Sequence, residues 1–187
     1  MDKKRLIVYA LVCLLLGGLG VYGVIMFTAE RRPAPFEGPV AEIPANDKKD
    51  VFLYFGSATD TYLIAEKRTV YGVGDATALA KNIINALISG PNRKSLVRTL
   101  PEGTSCRALY LTDRGMAYVD FMADIRERHP GGSEAELLAI YSIVNSLVLN
   151  VDEIKKVKIL IEGREADTLA GHIDIRLPFD ANMRMVR

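Results

Sequence analysis

Residues 131–162 read GGSEAELLAIYSIVNSLVLNVDEIKKVKILIE, and the period of their apolar positions changes midway. In the first half Leu137, Tyr141, Val144 and Val148 recur at helical spacing, with Ile140 and Leu147 alongside. Residues three and four apart share one helix face, so this half predicts an amphipathic helix. Ser133 precedes the run and Glu136 follows three places on, the spacing of a capping box. In the second half Val157, Ile159 and Ile161 alternate with Lys158, Leu160 and Glu162. A period of two predicts a strand over 156–162 with one buried and one wetter face.

The helix has an unusual surface. Residues 137–151 carry no charge, and their less apolar side offers only Ser142, Asn145, Ser146 and Asn150. Burial between a sheet and a second helix is one reading; a low-charge face that docks a partner or a second copy is the other. Burial is preferred, because helices apolar nearly all round are usually covered.

Working back along the chain, residues 107–112 and 116–121 read as two short strands, with Asp113-Arg114-Gly115 as the hairpin turn. Asp75 is an N-cap for a helix bearing Leu79, Ile83, Ala86 and Leu87, and Gly90-Pro91 ends it. Residues 51–55 and 62–71 read as strands, and 172–180 as a further edge strand. No internal repeat occurs at fixed spacing. The expected fold class is α+β: a small antiparallel or mixed sheet with two helices on one face, in the order β-α-β-β-α-β.

Ahead of this domain, residues 6–27 contain no charge. A helix of that length spans ~33 Å, the thickness of a hydrocarbon core. We expect a cytoplasmic tail over 1–5, a transmembrane anchor over 6–28, a linker over 29–50 rich in proline (Pro33, Pro35, Pro39, Pro44), and an exported domain over 51–187 with its core at about 51–165. The apolar run is longer than a cleavable signal and ends in bulky Phe27, which favours retention. Lys3, Lys4 and Arg5 before the run orient the amino terminus inward. The expected location is therefore the inner (cytoplasmic) membrane, single-pass, with the domain in the periplasmic or extracytoplasmic space. Arg31-Arg32 is a stop signal or a lipid headgroup contact. Cys13 reads as a thiol inside the membrane, which leaves Cys106 without a disulfide partner.

Composition narrows the chemistry. The 187 residues include 24 basic and 23 acidic side chains, two Cys, two His and no Trp. That balance leaves no electrostatic footprint for nucleic acid, and the Cys and His counts exclude a Cys/His zinc site or a disulfide scaffold. His129 and His172 fall in loop-like stretches, and no Gly-x-Ser-x-Gly elbow accompanies them. Asp113 belongs to a turn, Glu102 to a Pro-Glu-Gly turn, and Asp120 reads as an acceptor for loop amides near Asp124. Gly72-Val73-Gly74-Asp75 lacks the lysine and third glycine of a phosphate loop. No catalytic, cofactor or metal-ligating residue is assigned, no cofactor is expected, and the chain reads as a non-enzyme.

Five segments in order carry a resemblance: Leu53-Tyr54-Phe55, Ala86-Leu87-Ile88-Ser89-Gly90-Pro91, Leu100-Pro101-Glu102-Gly103-Thr104, Ala117-Tyr118-Val119-Asp120-Phe121 and Lys158-Ile159-Leu160-Ile161-Glu162-Gly163. Together, over about 51–165, they resemble the GerMN domain of sporulation and spore-germination proteins. The resemblance implies a non-enzymatic envelope domain similar to modules that build rings in secretion and sporulation complexes, and it carries over no catalytic residue. Members are often lipoproteins or hold two copies, whereas this chain reads as one copy behind an uncleaved helix. The leading expectation is a membrane-anchored interaction or assembly module, held to lipid by residues 6–28 and bound to an envelope protein or to itself. The alternative is a module for peptidoglycan or another envelope glycan, with Tyr54, Tyr62, Tyr71, Tyr110 and Tyr118 as stacking surfaces.

Overall fold

The computed structural model describes residues 48–71 and 74–187. The expected tail, the anchor over 6–28, the linker up to residue 47, and Gly72-Val73 lie outside the described residues. Among the described residues no helix is long and apolar enough to cross a membrane.

The class is α+β, built on two three-stranded sheets where a single sheet was expected. The first holds β1 (Lys48–Ser57), β2 (Leu63–Tyr71) and the two-residue β3 (Leu96–Val97) in the antiparallel order β2-β1-β3. The second holds β4 (Cys106–Leu111), β5 (Met116–Phe121) and β6 (Lys156–Ile161). Here β4 and β5 form the expected antiparallel hairpin, and β6 joins β5 in parallel. Between them in sequence run α1 (Ala76–Ser89), the single turn α2 (Asp124–Glu127) and α3 (Ser133–Val148). Both long helices contact both sheets and each other. One continuous core results, with Leu53, Phe55, Ile83, Leu87, Val119, Ile140, Ile143, Leu147 and Ile159 at its centre.

A single sheet does not form because α3 occupies the edge of β1. The backbone N–H of Tyr54 donates to Ser146 Oγ at 3.1 Å, and Ser142 Oγ donates to the Tyr54 carbonyl. Asn150 completes the pattern: its Oδ1 accepts from Phe52 N and its Nδ2 donates to Phe52 O, both at 2.8 Å. Four helical residues advance about 6 Å and two strand residues about 6.6 Å, so the 142/146/150 stripe keeps step with the strand edge. Beyond it, β3 takes over at Gly56 and Ser57. The small polar residues of the uncharged run 137–151 therefore seal a strand from within; the helix is buried, and they are not a docking face.

Local signals hold where they concern α1. Asp75 Oδ1 accepts from Ala78 N at 2.7 Å, and Gly90, at φ 85°, closes the helix with its N–H on the Leu87 carbonyl. Arg98 caps the exposed Ile88 and Ser89 carbonyls. The capping box on α3 is a correction: Gly132 is the N-cap, no side chain caps it, and Glu136 is fully buried and turned elsewhere. The wetter face of β6 is another, since Lys158 is buried with its ammonium on the Ile175 and Arg176 carbonyls. The segment after β6 covers that face. Over residues 172–180 its backbone pairs with β6 at a single isolated bridge, Val157 to Phe179, so the expected strand there does not form. β1 begins at Lys48, inside the expected linker, because Asp50 binds Lys67 at 2.7 Å and Thr69 at 2.8 Å across the β1–β2 pair.

Ser146→Ala strands the buried Tyr54 amide and is expected to cost about 1–3 kcal/mol. Asn150→Ala is expected to cost less, because Phe52 is 49% exposed and water can replace the lost bonds. Urea unfolding of the two variants checks the order; equal or reversed costs would contradict it.

Candidate functional site

The residue types that could carry chemistry are tied to the backbone of their own chain. Asp120, 2% exposed, accepts from Gly163 N at 2.8 Å and pairs with Arg107 at 3.4 Å, as its reading as an acceptor for loop amides required. Gly163 sits at φ 73°, and a Cβ there would lie 2.5 Å from the Arg107 guanidinium. Asp124 accepts from Ser105 N, and Asp113 occupies the turn that ends with Gly115 N on the Thr112 carbonyl. Glu66, which sequence reasoning missed, takes the amides of Asn92 and Arg93 while Arg68 reaches the Gly90 carbonyl. It stands among exposed residues of β2 in the sequence, with no signal that its carboxylate turns inward. Burial raises its pKa, but those amides and Arg68 outweigh burial and hold it below the ordinary glutamate value.

Glu136 is the most enclosed of these groups. Its carboxylate accepts from His172 N at 3.0 Å and Ile173 N at 2.9 Å, and lies 2.7 Å from His172 Nδ1. Burial alone would raise its pKa. The amides of Ile173, Ala170 and His172 and the His172 ring outweigh burial, so the group stays ionised to a lower pH than an ordinary glutamate. His129 lies close enough to feel Glu136, but burial dominates and pushes its pKa down. Its Nδ1 accepts from Gly131 N. A carboxylate beside imidazole Nδ1 is the orienting half of a catalytic triad. The nucleophilic half is missing: no hydroxyl or thiol bonds to the His172 ring among the described residues. Nor does any group of three or more His, Cys, Asp or Glu there suit a metal ion. Glu136 pins the turn at 172–173, as Asn145 pins Asn182 by two further hydrogen bonds.

The five tyrosines do not form one platform. Tyr54 is buried, a correction that follows from its place at the sealed edge of β1. Tyr71 lies under Lys48 and Tyr62 under Arg187, each ring facing a cation. Tyr110 and Tyr118 face each other across β4 and β5, on the other sheet. Tyr110, 60% exposed, borders a groove of about 320 Å³ lined by Lys81, Asn85 and residues 106–110. Cys106 is the free thiol of this groove; burial raises its pKa, so it is no activated nucleophile.

Because the folded pKa of Glu136 is lowered, its contribution is complete above the ordinary value of 4.5 and is lost as pH falls through the folded value. Urea midpoints measured from about pH 7 to about pH 3 are expected to drop on the acid side, and Glu136→Gln to flatten that drop while costing about 1–3 kcal/mol at neutral pH. An acid limb of unchanged slope in the variant would contradict this role.

Three solved structures share the fold. A candidate lipoprotein from Clostridium perfringens, known from a 2.5 Å crystal structure, is 27% identical, with a TM-score of 0.53 over 73% of this chain and 91% of that one. The first GerMN domain of the sporulation protein GerM from Bacillus subtilis is 19% identical, with a TM-score of 0.57 over 73% of this chain and 98% of that one. The tandem GerMN domains of the same protein give the same identity and TM-score, with 46% of that chain covered. No curated protein matches significantly. The sporulation and spore germination family, Germane, matches residues 52–167. With well over half of its length matched, the chain belongs to the Germane family, and its domain is a GerMN domain.

Proposed function

We propose that this chain is a membrane-anchored, non-catalytic module of the cell envelope that works by binding other proteins. The observation that carries this reading is the use of the buried charged groups. Glu66, Asp120, Glu136 and Lys158 each bind backbone atoms of their own chain, a structural use of charge that supports recognition through surfaces. Membership of the sporulation and spore germination family supports it. So does the sequence: an uncharged run over 6–27 for the lipid anchor, and the prolines of 29–50 as a semi-stiff tether that holds the domain off the inner membrane on its outer side.

Protease added to intact spheroplasts is expected to digest a carboxy-terminal epitope while the amino terminus stays protected; a protected domain would refute the topology. In-cell crosslinking of the full chain is expected to join it to a defined set of envelope proteins or to further copies of itself. No crosslinks from protein confirmed at the membrane, together with retention on insoluble cell wall, would transfer the reading to glycan binding.

A further inference from the structure

The outer face of the first sheet is covered along only half of its length. Side chains alternate across a strand, so Lys48, Asp50, Phe52 and Tyr54 of β1 share that face with their partners Tyr71, Thr69, Lys67 and Ala65 of β2, and Leu63 follows. Val51, Leu53 and Phe55 point the other way, into the core. Asn145 holds Asn182 on the β1 side and Val186 bridges to Leu63 on the β2 side, so residues 183–185 pass between the two edges. Beneath that crossing Tyr54 and Leu63 are buried. Toward the start of β1 the same face is open: Lys48, Asp50, Phe52, Lys67, Thr69 and Tyr71 are all exposed.

Aromatic rings and lysines make up most of this open half. Phe52 is 49% and Tyr71 54% exposed, and Leu149, next to the Asn150 that binds Phe52, is exposed as well. Lys48 Nζ stands 5.3 Å over the Tyr71 ring, and Lys49 Nζ donates to the Asn150 carbonyl at 3.2 Å. Among the described residues Asp50 is the one acid of the open half, and Lys67 and Thr69 hold it. The acids that follow in sequence are used or placed elsewhere: Asp75 caps α1, and Asp152 lies in the turn after α3.

We propose that the open half of this face docks on the anionic lipid surface to which the chain is anchored. The proposal rests on the membrane-anchor reading above and goes beyond protein binding: it fixes which face the domain turns to the bilayer. Rings beside lysines suit that surface, because the rings sit at headgroup depth while the ammonium groups meet anionic phosphates. The point of entry supports it too. β1 begins at Lys48, so Phe52 lies only about 13 Å beyond the end of the tether. Residues 29–47 reach ~60 Å at full stretch, which is a ceiling on the height of the domain and not a fixed distance. Tethering keeps the lipid at high effective concentration, so a small patch suffices where a free domain would stay in solution. A second copy laid face to face would instead set Lys48, Lys49 and Lys67 against the same charges.

The chain has no tryptophan, so Phe52→Trp installs a single reporter on the face. The full chain carrying it is reconstituted into vesicles of phosphatidylglycerol and phosphatidylcholine whose brominated acyl chains quench on contact. Tyr110→Trp, at an exposed position of the other sheet, is the reference. The reporter is expected to emit further to the blue than the reference and to lose at least about half its intensity to bromine, against little loss at 110. Pure phosphatidylcholine, or salt of about 1 M, where the Debye length falls to about 3 Å, is expected to remove most of that difference. Lys48→Glu is expected to weaken quenching in anionic vesicles at unchanged melting temperature; should it unfold, the lipid-charge and salt arms decide alone. Circular dichroism checks each tryptophan variant, and Leu149→Trp replaces Phe52→Trp should that one unfold. Equal quenching at the two positions, or quenching that ignores lipid charge and salt, would overturn the proposal. So would blue emission without bromine quenching in a crosslinked dimer, the mark of a second copy on the face. Carbonate extraction of the same vesicles separates the readings. A chain that washes off refutes anchor and docking together; a retained chain with an unquenched reporter refutes the docking alone and leaves the anchor and protein binding in place.

Discussion

The outward-facing amide and carbonyl of Tyr54, buried at the edge of β1, must find partners inside the protein, and much of the architecture follows from how they do. Ser146 and Ser142 of α3 supply those partners, and Asn150, just past its end, binds the exposed Phe52. Unpaired buried backbone groups are costly, so α3 is fixed in both rotation and height against β1. With that edge closed, β1 cannot continue into β4–β6, and the sheet is split in two around helices that serve both halves. The same stripe explains why α3 carries no charge over residues 137–151: its polar side faces a strand and its apolar sides face the core.

A second dependence runs from α3 to the carboxy-terminal segment. Glu136 takes the amides of residues 172 and 173, and Asn145 exchanges two bonds with Asn182. These contacts lay residues 164–187 across β6 and up to the edge of β2, so that Lys158, on an alternating strand, ends up covered. A fully buried carboxylate is stable there because backbone N–H donors, directed and abundant, replace its water. The acids used this way secure chain segments to one another.

Local contacts were legible in the sequence. The Asp75 cap, the Gly90-Pro91 stop, the Asp113-Arg114-Gly115 hairpin and the helical period of α3 depend on neighbours within a few residues, and each forms as read, although Ile140, Ile143 and Leu147 are more deeply buried than Leu137, Tyr141 and Val148. Errors arose where a local pattern had a distant competitor. Glu136 lies at capping-box spacing, but two amides 36 and 37 positions away outcompete the helix start. Tyr54 alternates like a surface residue of a strand, yet it lies at the edge that α3 closes. The two-residue β3 and the single turn α2 are too short to leave a periodic trace.

The sequence by itself determined the α+β class, the family, the main elements and the placement of an uncharged run ahead of a proline-rich segment. These follow from composition and period, which are properties of contiguous residues. Only the tertiary structure decided how many sheets there are, which strand edges are sealed and which carboxylates are buried. Each of those depends on a hydrogen bond between residues far apart in the chain: Phe52 with Asn150, Glu136 with Ile173, Val157 with Phe179. A donor or acceptor in the sequence names no partner, and burial makes the choice of partner matter.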